Sequence, residues 1–328
     1  MATYKGIQGY SVQSLASDPT VEDTVGQLWY NSASNVWKLS VTGDGAWSSG
    51  GAVNTALFQV GSLGTQTAAL KFGGNPGSGA GTVDAEEYNG TAWTEIADIS
   101  PAKYGVYGFG TTTAGVSAGG FPGQASVQTW NGSAWAEGNS INTARYTTTG
   151  GGYGTSTAGM IVGATSPLSG LTETYNGSTW TETGDLTTGR GSIAPAGTTT
   201  AALASGGGPG NGLGVVESFD GTSWTETTDL NSDRANPGGG GAVQTAALVY
   251  GGTTPPGESV TGITEKWNGS AWTEVGDLAT AREMGGSSGQ GPNTAQLYFG
   301  GRTPPSTVQT ATEEWNDPVY TVKTVTTS

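Results

Sequence analysis

Five of the 11 Lys and Arg residues stand at one position of a repeating unit: Lys103, Arg145, Arg190, Arg234 and Arg282. Cations at equivalent positions could hold a carboxylate or an acidic glycan, and Tyr104 and Tyr146 directly follow two of them. The same bases could instead pair with acids on the same beat, either Glu173-type residues or Asp185, Asp229 and Asp277, and tie the fold together. Both readings are open at this level. The chain has no His and no Cys. That removes thiol nucleophiles, His-based triads, disulfides, Cys/His zinc sites and His-ligated copper. There is no D-x-D-x-D-G calcium loop, and the Gly run at 237–241 does not lead into a helix that could cradle phosphate. No metal, no cofactor and no catalytic residue is expected.

A second constellation is aromatic. EEYNGTAW, QTWNGSAW, TETYNGSTW, ESFDGTSW and EKWNGSAW end at Trp93, Trp135, Trp180, Trp224 and Trp272. Four of the five read N-G-[ST], the acceptor pattern for N-linked sugar. A ligand seldom needs five identical sites, whereas each interface of a repeat protein needs the same filler. Phe219-Asp220 loses the sugar acceptor but keeps the turn, which favours a scaffold role. The phrases are only faintly similar to the Asp-box of sialidases, since Asp220-Gly221 alone comes near its Asp-x-Gly. The expectation is an Asn-Gly hairpin of the two-residue type I′ kind, with the aromatics packed between units.

Composition limits the function classes. Gly is 59 of 328 residues, only 11% are charged, and 26 acids against 11 bases give a net charge of −15. Such a surface repels nucleic acid and anionic membranes. Eleven Trp and 12 Tyr argue for a buried core rather than disorder. No apolar run is long enough to span a membrane, and the first residues lack a signal-peptide core.

The elements that position these residues follow from period. Trp47, Trp93, Trp135, Trp180, Trp224 and Trp272 are spaced by 46, 42, 45, 44 and 48 residues. A T-A-x-x-x-x-G-G phrase keeps the same beat at 67–74, 113–120, 200–207, 245–252 and 294–301, with a variant at 157–164. Each unit resolves into four strands. Strand A follows the basic residue, as at 145–147, and strand B ends at the Gly pair. Strand C carries Glu and an aromatic two apart on one face, and strand D starts at the Trp. Four antiparallel strands at this period make a β-propeller blade. Six blades are expected, closed by an N-terminal strand around Trp47 that completes the last one. The D–A connections and the variable B–C loops then share a face, where propellers usually bind.

With its Gly pair, aromatic and Trp in that order, the repeat resembles the kelch repeat over residues 44–316, with a shorter aromatic-to-Trp spacing. The likeness implies a propeller scaffold and no particular activity. Residues 1–43 read as an attachment segment with a small hairpin, 44–318 as propeller and 319–328 as a tail whose Val and Thr alternate. The phrase D-P-T…G-Q-L-W-Y-N…W-K looks like modules near the start of bacteriophage tail and virion proteins. That resemblance implies a non-enzymatic virion protein on a tail or capsid. Residues 1–43 would meet other virion proteins, and the propeller would meet a host-surface glycan or protein; a homo-oligomer is compatible. Capsid or tail decoration is the alternative, and a glycan-cleaving enzyme a more remote one.

Overall fold

The computed structural model describes residues 14–18, 27–43, 45–149, 151–208, 212–255, 259–317 and 319–325. The opening MATYKG stretch, Pro19 and Thr20 of the D-P-T phrase and Pro318 therefore lie outside the described residues. The chain forms two compact units, one of residues 1–45 with 317–328 and one of residues 46–316.

The smaller unit is a four-stranded sheet. Ser14–Leu15 runs parallel to Leu28–Asn31, which pairs antiparallel with Val36–Gly43. The tail strand Val319–Thr324 then adds to Val36–Gly43 over six residues, so the two ends of the chain share one sheet. Asp18 explains part of the phrase it opens. Its carboxylate accepts from Asn31 Nδ2 at 2.7 Å and from Trp29 Nε1 at 3.2 Å. The bond from Asn31 holds the Asp18 carboxyl below its ordinary value.

In the larger unit, six four-stranded antiparallel sheets stand among the described residues. Blade 1 is Gly61–Thr65, Ala68–Phe72, Ala85–Tyr88 and Trp93–Glu95. Blade 2 is Tyr107–Thr111, Ala114–Ala118, Val127–Trp130 and Trp135–Gly138. Blade 3 is Tyr153–Thr155, Ala158–Thr165, Leu168–Tyr175 and Trp180–Glu182. Blade 4 is Ala194–Gly197, Ala202–Ser205, Val216–Phe219 and Trp224–Glu226. Blade 5 is Gly238–Val243, Ala246–Tyr250, Thr264–Trp267 and Trp272–Val275. Blade 6 is Gly286–Ser287, Ala295–Phe299 and Thr312–Asn316, and its fourth strand is Ala46–Ser49 from the other end of the unit. Trp47 lies directly opposite Trp315 there.

The six apolar clusters each join two neighbouring blades. Leu297 and Phe299 of blade 6 pack with Tyr88 and Trp93 of blade 1, and Tyr153 and Met160 of blade 3 with Phe219 and Trp224 of blade 4. The Gly pair at the end of strand B supplies a polar link at the same joints. Its second residue donates its N–H to the carbonyl of the basic position in the next blade: Gly74 to Lys103, Gly120 to Arg145, Gly207 to Arg234 and Gly252 to Arg282. Ala164 does the same to Arg190, and Gly301 to Leu57 links the last blade to the first. Glycine is required because the chain passes so close. Gly119 has φ +67°, and a Cβ there would lie 2.5 Å from the Arg145 carbonyl oxygen.

Each repeat Trp reaches the preceding blade. Where the residue before the strand-C acid is Thr, its hydroxyl accepts the indole N–H: Trp93 to Thr312, Trp224 to Thr172 and Trp47 to Thr264, at 3.0–3.1 Å. Where it is Val216, Trp272 turns to the Thr228 carbonyl instead. Changing Thr172 to Val removes the Trp224 acceptor and forces the indole N–H to turn to a backbone carbonyl, as Trp272 does. A loss of about 1–3 kcal/mol is expected, read as a lower denaturant midpoint with an unchanged slope.

Two expectations are corrected. The Asn-Gly phrase is not a two-residue I′ turn: Tyr88 pairs with Trp93, which leaves a loop of residues 89–92. Only the Gly has positive φ, +90° at Gly90, while the Asn89 side chain accepts from the N–H groups of Thr91 and Ala92, each at 3.0 Å. Asp220 makes the same pair of bonds, so Asp substitutes freely for Asn. Strand A also does not begin at the basic residue. It starts at Tyr107 after Lys103, and at Tyr153 after Arg145, where residues 145–147 form only a bridge to the B–C loop.

Candidate functional site

The repeated bases are inside the protein. Lys103, Arg145, Arg190, Arg234 and Arg282 are each 0% exposed. Each of these four arginines closes onto a strand-C acid: Arg145 on Glu173, Arg190 on Glu217, Arg234 on Glu265, and Arg282 on Glu313 at 2.6 Å. Each acid also accepts, at 2.7 Å, a backbone N–H of the segment leading to its arginine, from Asn142, Thr187, Asn231 and Ala279 in turn. The acids Asp185, Asp229 and Asp277 bind backbone N–H groups of Thr172, Val216 and Thr264. Of the two readings of the basic row, the structure shows the internal one: four blades carry an Arg–Glu latch, and a ligand arriving from solvent does not meet it.

Two blades depart from the latch. Blade 1 has Leu57 at the basic position, and Lys71 from strand B takes over, reaching Glu86 at 2.5 Å and Asp84 at 2.6 Å. The sequence hides this because Lys71 is off the repeat register. Asp84, Glu86 and Glu95 lie within 4.8 Å of one another, but Lys71 already supplies the cation. Burial, with the charges of Asp84 and Glu86 added, raises the Glu95 carboxyl. Blade 2 has Gln128 where the other blades have Glu. Gln128 keeps a backbone bond, from Ser100 N–H, yet Lys103 Nζ is buried with no partner. Desolvation lowers Lys103 to about 8.

The second residue after each basic position forms an inner ring. Gln59, Ser192, Asn236 and Met284 have φ between +53° and +58°, a conformation that costs a non-glycine residue free energy. Their backbones join in sequence. Gln59 N–H donates to Met284, Gly105 to Gln59, Thr147 to Gly105, and Met284 to Asn236, while Ser192 N–H donates to Thr147 Oγ1. From this ring a side-chain chain runs across blades 3 to 6. Thr165 and Thr148 both meet Ser192 Oγ, Thr148 Oγ1 donates to Asn236 Oδ1 at 2.5 Å, and Asn236 Nδ2 donates to Glu283 Oε2 at 2.8 Å. Arg302 Nε completes it, donating to Glu283 Oε1 at 2.8 Å.

Arg302 stands on a small hairpin in the B–C loop of blade 6, Arg302–Thr303 paired with Thr307–Val308. Its side chain is 33% exposed, the only arginine not buried, and its guanidinium lies 5.1 Å over the Phe58 ring. Among the described residues its two terminal nitrogens have no hydrogen-bond partner. A cavity of about 240 Å³ opens there, walled by Asn236, Thr253, Glu283, Met284, Arg302 and Pro305. Arg302 was not among the sequence candidates. The available signal was its position out of register in a loop, in a chain short of bases.

Tyr104 and Tyr146 occupy the same face, half-buried. Tyr104 stacks on Phe121 with ring centroids 4.7 Å apart, and Tyr146 meets Phe121 edge-on at 5.4 Å. They form an aromatic group separate from the cavity walls. Burial, with Tyr146 nearby, raises the Tyr104 hydroxyl. The repeat Trp residues, by contrast, are structural. Trp93, Trp180, Trp224 and Trp272 are buried between blades, and the partly buried Trp47 and Trp135 pack against Tyr250 and Phe72.

Six four-stranded antiparallel sheets, each packed on its neighbours through a shared apolar cluster, define a β-propeller. No family model matches the chain, and no curated protein does. Among solved structures it is similar to one titled "Structure of YjhT", with a TM-score of 0.66 over 84% of this chain and 100% of that one. The identity is 14%, so the likeness concerns the fold alone.

Proposed function

We propose that this chain is a non-enzymatic bacteriophage virion protein whose kelch-like propeller attaches to a host-surface glycan or protein. The observation that carries the reading is the gathering of unlike loops around one polar, partly strained cavity on the B–C face. The repeat holds its basic residues inside the blades. The loop hairpin of blade 6 is where an arginine is partly exposed. Preorganised donors and acceptors on rigid elements suit recognition. The small unit, formed from both chain ends, is the part proposed to meet other virion proteins.

Purified full-length protein should bind host cells or their isolated envelope glycans saturably. Failure to bind, together with stoichiometric contacts to shell subunits in a particle reconstruction, would replace attachment by decoration. Turnover of a glycosidic substrate would make it an enzyme instead.

A further inference from the structure

The geometry points to a neutral saccharide as the group that fills the cavity at Arg302, bound through a pair of adjacent hydroxyls. This rests on the attachment reading and narrows its ligand class. The guanidinium is fixed on two sides, by Glu283 at Nε and by the Phe58 ring beneath it. That leaves its terminal nitrogens as a rigid fork of donors facing the cavity, with the spacing that suits two neighbouring oxygen acceptors. Asn236 and Glu283 are held by the hydrogen-bond chain from Thr148 and Ser192, so the wall is set before a ligand arrives.

Charge decides between sugar classes. The acidic glycan that the row of bases suggests is disfavoured, because those bases are buried inside the blades. Arg302 is itself matched by Glu283, 2.8 Å away. A carboxylate ligand would meet an ion pair of no net charge on a protein of net charge −15. Hydroxyls pay no such electrostatic cost and can donate to the remaining lone pairs of Glu283. Size agrees: about 240 Å³ falls below the roughly 300–1,000 Å³ of drug-sized sites. One sugar ring fits better than a chain.

The test is titration of the full-length protein with the methyl pyranosides of glucose, galactose and mannose and with the corresponding uronates, followed calorimetrically. At least one neutral pyranoside should bind, and more tightly than its uronate. Arg302→Lys keeps the charge but loses the fork, and should weaken that binding tenfold or more. Glu283→Gln leaves the guanidinium unbalanced and should shift preference toward the uronate. The inference is overturned if no pyranoside binds, if the uronate is preferred by the unaltered protein, or if Arg302→Lys binds unchanged. Host-cell binding that survives in Arg302→Lys, with no pyranoside bound, would leave attachment standing and remove only this site.

Discussion

Replacing Glu217 with alanine is expected to remove about 3–5 kcal/mol of stability, because it leaves the Arg190 guanidinium buried and unmatched. The pair is 0% exposed on both sides. Arg190 makes further bonds to the carbonyls of Gly206 and Ala204 at 3.0 Å, while Glu217 holds the N–H of Thr187. One deletion therefore loosens strand B, strand C and the incoming connection together. For a unit of this size the loss corresponds to a fall of roughly 10 °C in Tm. Changing Arg190 to Met and Glu217 to Leu together should recover part of it, since no charge is left buried, but not the carbonyl bonds. The latch also has an acid limit. Burial alone would raise the Glu217 carboxyl, yet the bonds from Arg190 and Thr187 outweigh it and hold the group below its ordinary value. Its contribution is present above the ordinary glutamate range and is lost as pH falls through the lowered value. Acid unfolding followed by intrinsic Trp fluorescence should lose this pH dependence in the alanine variant.

The second large effect is a gain. Lys103 is buried without a partner because blade 2 has Gln128 in place of the acid. Below about pH 8 the amine is charged in both folded and unfolded chains, and the whole burial penalty is present. Between about 8 and the ordinary value of 10.5 the folded chain releases the proton while the unfolded chain keeps it. Stability should accordingly rise with pH across that window. The buried hydroxyls of Tyr107 and Tyr298, raised to about 12 by desolvation, oppose the rise above pH 10. The interval from 8 to 10 is thus the one to measure. Lys103→Met should stabilise the protein by roughly 3 kcal/mol at neutral pH and abolish the rise. Gln128→Glu should do so by restoring the pair. An unchanged denaturant midpoint in both variants would refute the assignment.

These two positions also show what the sequence made legible and why it stopped. The blade was readable because every interface needs the same aromatic and the same close backbone approach, which repeat as Trp and Gly-Gly. The strand from residues 46–49 was readable because one Trp preceded any strand A. The latch was readable only as one of two alternatives, since spacing cannot say whether an arginine turns inward. Lys71 escaped because a strand-B side chain can reach the same acid from a different register. The Asn89 loop was misjudged because its side chain, not a positive φ at Asn, closes the turn. Arg302 escaped because it belongs to no repeat, which is the property that gives it a role of its own.

The paired residues Ala46 and Asn316 have one further consequence. The chain leaves the small sheet at residue 45 and returns to it at residue 317, having entered and left the propeller through adjacent strands. The propeller is an insertion with its two ends side by side. Such an insertion can be exchanged as a cassette: any domain whose ends lie one strand spacing apart could be spliced between the same two points without redrawing the sheet that receives it. Recombination at those points offers a route to a new inserted domain on the same small sheet, and a simple one for engineering.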